Sequence, residues 1–125
     1  MFDMYLVEKE YTRNIKEAIS NLKENNFEVA LDYIHKAMFI NDSSGEVHNL
    51  LGIYYEKKGD LNMAGKHYRA AWDLEPTFKA PMNNLQRITS YNYKRTEKYI
   101  EYGEDFYRER INLDTKNLYT NLQLK

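Results

Sequence analysis

The sequence predicts an all-α protein built as a stack of three antiparallel helical hairpins, and three observations carry the prediction. A block of apolar positions recurs 34 residues on, its members fall at spacings of three and four, and short polar turns separate the blocks. The segment from Phe27 to Ile40 returns from Leu61 to Leu74, with Phe27, Ala30, Ile34, Ala37 and Ile40 answered by Leu61, Ala64, Tyr68, Ala71 and Leu74. Each set lies on one helix face. The alanines let a neighbouring helix approach closely, and the large residues fill the space on either side.

The elements follow in chain order. The first helix takes its apolar face from Ile15, Ala18, Ile19 and Leu22, extended back through Tyr11 and Leu6. A polar turn at 23–26 leads into the second helix, the first copy of the repeated block. Ser43 and Ser44 are N-caps for a third helix whose face is Val47, Leu50, Leu51, Tyr54 and Tyr55. Gly59, in the turn at 57–60, terminates it ahead of the second copy. Pro81 suits the first turn of a fifth helix with Met82, Leu85, Ile88 and Tyr91 on its face. A sixth helix is expected to carry Tyr93, Thr96, Ile100, Gly103 and Phe106, a copy shortened to an offset of 32. A mid-helix Gly costs about 1 kcal/mol, so Gly103 is expected to serve close packing in the slot of Ala37 and Ala71. Short turns force antiparallel neighbours, and each hairpin covers a face its neighbour leaves open. In the remaining 111–125, Leu113, Leu118, Tyr119, Leu122 and Leu124 form either a capping helix or a flexible tail that binds a second copy or another protein.

The unit 45–78 carries His48, Leu51, Gly52, Tyr55, Ala64, Tyr68, Ala71 and Pro76. In that spacing the chain resembles the tetratricopeptide repeat (TPR) family, over residues 11–110. His48 stands where Trp is common, Asp42 replaces a Pro in the first unit, and Gln86 occupies a small-residue position in the third. The resemblance implies one domain, 1–125, wound as a right-handed superhelical stack with units 11–44, 45–78 and 79–110 and a cap or tail at 111–125. It also implies a concave groove, lined by the first helix of each hairpin, that takes an extended peptide or a partner helix.

Helical phase places Asn49 and Ile53 in that groove from the second unit, and Asn83 and Arg87 from the third, with Asn49 and Asn83 in 34-residue register. An Asn amide both donates and accepts, which suits gripping a peptide backbone, and Arg87 can fork onto a carboxylate. As surface residues, Asn49, Asn83 and Arg87 are expected to be replaceable at a cost within about 0.5 kcal/mol. The other reading of this strip is a solvated polar face. A chaperone-tail clamp of Lys, Asn, Asn, Lys and Arg, known in some TPR-like modules, is absent: its slots hold Ile15, Ile19, Leu50, Ala80 and Asn84.

Composition narrows the function classes. Hydrophobic residues make up 42% of the 125 positions and charged residues 30%, enough for one continuous core. With no Cys there is no disulfide framework, thiolate metal site or Cys nucleophile, and a reducing, cytoplasmic home is expected. The net charge of -1 offers no basic arm for nucleic acid, residues 1–10 lack the pattern of a leader, and no apolar run reaches membrane-spanning length. His35, His48 and His67 form no i,i+3 or i,i+4 pair, so no metal is expected. The five glycines are too scattered for a phosphate loop, the serines read as caps, and Glu101, Glu104 and Asp105 read as a solvated helix face. Tyr91, Tyr93, Tyr102, Tyr107 and Tyr119 crowd the C-terminal third near Lys94, Arg95, Arg108 and Arg110, but the interleaved acids argue against base stacking. The expected function is a non-enzymatic, cofactor-free adaptor or scaffold that binds another protein or peptide, without nucleic acid or membrane. The alternative is a module that forms a homodimer through its Tyr-rich C-terminal helices.

Overall fold

The computed structural model describes residues 3–94 and 96–106. Helix α1 spans Met4–Lys23, capped by the Asp3 carboxylate, which accepts from the Tyr5 and Leu6 N–H groups. Its buried stripe is Tyr11, Ile15, Ala18, Ile19 and Leu22; Leu6, one turn further back, is exposed. Helix α2, Phe27–Ile40, buries Ala30, Ile34 and Ala37. Helix α3, Gly45–Lys57, starts at Ser44, whose hydroxyl accepts from the Glu46 N–H, so Ser44 and not Ser43 is the cap. Gly59, at φ 88°, turns the chain into α4, Leu61–Leu74, which Asp60 caps through the Met63 N–H. Helix α5, Ala80–Ile88, has Pro81 in its first turn, where the missing N–H leaves no hydrogen bond unmade.

Among the described residues every regular element is helical, and the fold is all-α. Helix α1 packs on α2 and α3 on α4; α3 also touches α1, α2 and α5, and α4 packs on α5. The alternating block explains this layering. Ala30, Ala37, Ala64 and Ala71 are all fully buried at helix contacts, while Leu61 and Leu74 lie partly open at the rim. Tyr68 is fully buried between helices because Gly52 gives its ring room: a Cβ on Gly52 would stand 2.4 Å from the ring carbons. Leu51 is buried in the same core, Tyr55 is half-buried, and Pro76 is exposed beyond α4.

The chain departs from expectation after α5. The helix stops at Ile88, so Tyr91 stands in open solvent rather than on an apolar face. Thr89 donates its hydroxyl back to the Leu85 and Gln86 carbonyls, and the Ser90 carbonyl and hydroxyl accept from the Tyr93 and Asn92 N–H groups. Such polar side chains offer the backbone bonds that compete with a continuing helix. The expected sixth helix through Tyr93, Thr96, Ile100 and Gly103 is not formed. Residues 91–94 and 96–103 instead run irregularly, with one 3-10 turn at Glu97–Tyr99, and helical backbone resumes at 104–106. Gly103 has φ 83° and its Cα faces the Phe78 ring, so it serves a left-handed turn and not a helix contact. The proposed cap or tail at 111–125 lies outside the described residues, as do Arg95, Tyr107, Arg108, Arg110 and Tyr119.

Candidate functional site

Helices α3 and α5 lie side by side, and residues 96–103 of the same chain pass over both. The crossing is centred on one peptide residue. The Glu101 N–H donates to Asn84 Oδ1 at 3.0 Å, and the Glu101 carbonyl accepts from Asn84 Nδ2 at 2.8 Å and from Asn49 Nδ2 at 3.0 Å. Asn84 Nδ2 also donates to Asn49 Oδ1 at 3.0 Å, which ties the two amides into one clamp. Both side chains are 0% exposed, so each amide atom depends on these partners for its hydrogen bonds. Asn83, beside them and half-buried, donates to Glu101 Oε1 at 3.0 Å.

The sequence-predicted strip is only partly what the structure assembles. Asn49 grips a peptide backbone, as its amide chemistry suggested, but its partner across the groove is Asn84 and not Asn83. The offset between the clamp residues is one longer than the repeat, because the irregular stretch after α4 shifts α5 by a residue. Ile53 is fully buried in the core and lines no open surface. Arg87 does fork onto a carboxylate, but the carboxylate is the chain's own Glu56, bonded through both guanidinium nitrogens. Glu56 is fully buried and also accepts from Tyr68 Oη at 2.7 Å and Tyr93 Oη at 2.9 Å. Asn49 and Arg87 are therefore not removable surface residues, contrary to the expectation from helical phase.

Electrostatics reinforce this network. Burial, then the charge and hydrogen bond of Glu56, hold the Tyr68 hydroxyl well above its usual pKa, and the same causes raise Tyr93 to about 12. Burial works to lower the Arg87 pKa, but the bonds and charge from Glu56 outweigh it and raise it. At the other edge, Lys57 Nζ donates to the Leu22 carbonyl at 2.7 Å, pairs with Glu97 at 2.9 Å and reaches Tyr102 Oη at 3.4 Å. Tyr102 also donates to Glu97, and burial followed by that carboxylate raises its pKa. Lys23 pairs with Glu104 and stands over the Tyr102 ring.

Helical phase puts Glu56, Lys57 and Asn84 on the same side of their helices as Asn49 and Arg87, yet sequence reasoning gave them no role, and it read Glu101 as part of a solvated face. A signal was present: Asn49 and Glu56 stand two turns apart on α3, and Asn84 and Arg87 one turn apart on α5, forming polar stripes at helical spacing. It also missed a histidine pair. His48 and His67 lie 19 positions apart, yet their Nδ1 atoms are 3.2 Å apart, and the Tyr55 ring stacks on His67. Burial lowers both imidazole pKa values; for His67 the neighbouring His48 lowers it further, while Asp42 partly opposes the shift at His48. Among the described residues no group of three or more His, Cys, Asp or Glu is placed to hold a metal. No helix described is long and apolar enough to cross a membrane. No protein-family model, curated protein or solved structure matches this chain.

Proposed function

We propose that the chain is a non-enzymatic, TPR-like adaptor that binds an extended segment of another protein between α3 and α5. The observation that carries the reading is the Asn49–Asn84 clamp, which holds both polar groups of one peptide residue without touching its side chain. Chemistry of that kind reads backbone conformation and leaves sequence preference to the flanking pockets. The helix contacts support the stacked-hairpin part of the proposal, since α1, α3 and α5, the first helices of the successive units, form adjacent layers. A cleft of about 460 Å³ beside the clamp, between Asn83, Arg87, Tyr93 and Tyr99, offers room for more of a bound chain.

The test is an affinity capture from soluble lysate that compares wild type with Asn83→Arg/Lys94→Glu. Both positions line the open cleft and leave the buried clamp and the Glu56 network intact. A partner retained by the wild type, lost with the folded variant and cross-linked to α3 or α5 is the expected result. Identical retention by both proteins overturns the groove assignment.

A further inference from the structure

Residues 96–103 occupy the groove in the way the proposed partner would. The segment opens with the 3-10 turn at Glu97–Tyr99 and is extended from Ile100, at ψ 127°, and the main chain of Glu101 is held by side chains rather than by a helix or sheet ladder. Its side chains divide by surroundings. Ile100 and Tyr102 are buried against the core, the Glu101 carboxylate meets Asn83, and Glu97 meets Lys57 and Tyr102, whereas Lys98 and Tyr99 point outward. The groove therefore favours an acidic residue, then an apolar one three positions on, followed by an acid and a tyrosine.

Two features mark the segment as a main chain held in a groove. Burying two Asn side chains to hold a single peptide residue gives no advantage over apolar packing unless a backbone must be held there. The groove also continues beyond what the segment fills: a cleft of about 450 Å³ lies between Phe78, Ala80 and residues 100–106, and the cleft beside Asn83 lies on the other side of Glu101.

Resting on the adaptor reading, we infer that residues 96–103 are an internal stand-in for the partner. The groove takes a peptide of the pattern Glu-x-x-Ile-Glu-Tyr, turned over Glu-x-x and extended from the Ile, by exchange with the chain's own copy. The tether sets the strength of the competition. A segment joined by a short linker acts at an effective concentration on the order of millimolar, so a free peptide making equal contacts is held off by the ratio of that concentration to its own Kd. Tyr93, bonded to Glu56, lies between α5 and the segment and stays in place, so release does not require α5 to unfold.

The probe is a fluorescently labelled octapeptide with the sequence of residues 96–103, titrated by anisotropy against the full chain. Glu101→Pro removes the N–H that Asn84 accepts and so loosens the resident segment. The folded variant is expected to bind the probe at least about tenfold more tightly than wild type does, in line with loss of the tethered competitor. The same peptide methylated on its Glu101 amide should lose that gain. Because Glu101→Pro can unfold the chain, wild type is also mixed with millimolar unlabelled peptide and followed by hydrogen exchange. Faster exchange at the resident Glu101 amide supports displacement. An unchanged rate, or equal affinity of wild type and folded variant, overturns the inference and makes 96–103 permanent core. A variant that dimerises by exchanging the segment with a second copy also overturns it. If the peptide fails while the lysate partner is still lost with Asn83→Arg/Lys94→Glu, the adaptor reading survives and only the stand-in is wrong.

Discussion

Glu56 shows why single residues decide so much in this molecule. Its carboxylate is fully buried and receives Tyr68, Tyr93 and both terminal nitrogens of Arg87, so the charge is matched only while all of them stay. Removing one partner of a buried pair leaves an uncompensated charge, and Arg87→Met is expected to cost about 3 kcal/mol in urea unfolding. The double change Glu56→Gln/Arg87→Met should cost clearly less than the two single changes added together; a loss equal to that sum would mean that the pair does not couple. Gly103 makes the second case. Any side chain there meets two penalties, a backbone at φ 83° and a Cβ 2.5 Å from the Phe78 ring, so Gly103→Ala should lower stability by about 2 kcal/mol. A change below half that would show that the turn relaxes freely. The sequence reading put Gly103 in a helix-packing slot because its spacing from Phe106 and Ile100 fits one. Spacing does not report φ, and a left-handed residue leaves no periodic trace.

At the scale of elements, α1 through α4 were legible because their apolar positions repeat with the helical period and each burial stripe is made by the helix's own residues. The segment after α5 carries the same spacing by coincidence. Thr89, Ser90 and Asn92 turn the chain, and the backbone that follows is satisfied by Asn84 and Asn49 from other elements, which local patterning cannot reveal. The histidine contact between α3 and α4 was hidden for the same reason, and it has a consequence for pH. His48 and His67 both have folded pKa values below the usual 6.5, and Tyr55 and Asp42 are the other groups that face them. The unfolded chain therefore takes up more protons as pH falls below 6.5, so the stability contributed by the neutral pair is complete above that value and declines toward the folded pKa values. Urea midpoints measured at about pH 7.5 and about pH 5.5 should fall on acidification, and fall less in His67→Phe, which keeps a ring on Tyr55. A variant with the same acid sensitivity as wild type would place the effect on other groups.

On the whole-molecule scale, the helices touch mainly those next to them in the chain, and local contacts of that kind favour loss of structure one unit at a time. Here residues 96–104 cross that grain. Lys57 on α3 joins the Leu22 carbonyl at the end of α1 to Glu97 and Tyr102, Lys23 on α1 joins Glu104, and the two Asn amides hold Glu101 against α3 and α5. Tyr102 is the hub, since its ring and hydroxyl meet Lys23, Lys57 and Glu97 together. The segment thus couples α1 to α5, and a chain of this size is expected to unfold in a single step. Fluorescence of Trp72, the one tryptophan, reports on α4, while far-ultraviolet circular dichroism averages over all helices. The two transitions should coincide in wild type. In Tyr102→Ala the α1–α2 hairpin loses one of its ties to the rest, and the dichroism midpoint should fall below the Trp72 midpoint as that hairpin melts first. Coincident transitions in the variant would show instead that contacts between adjacent helices alone make the molecule cooperative.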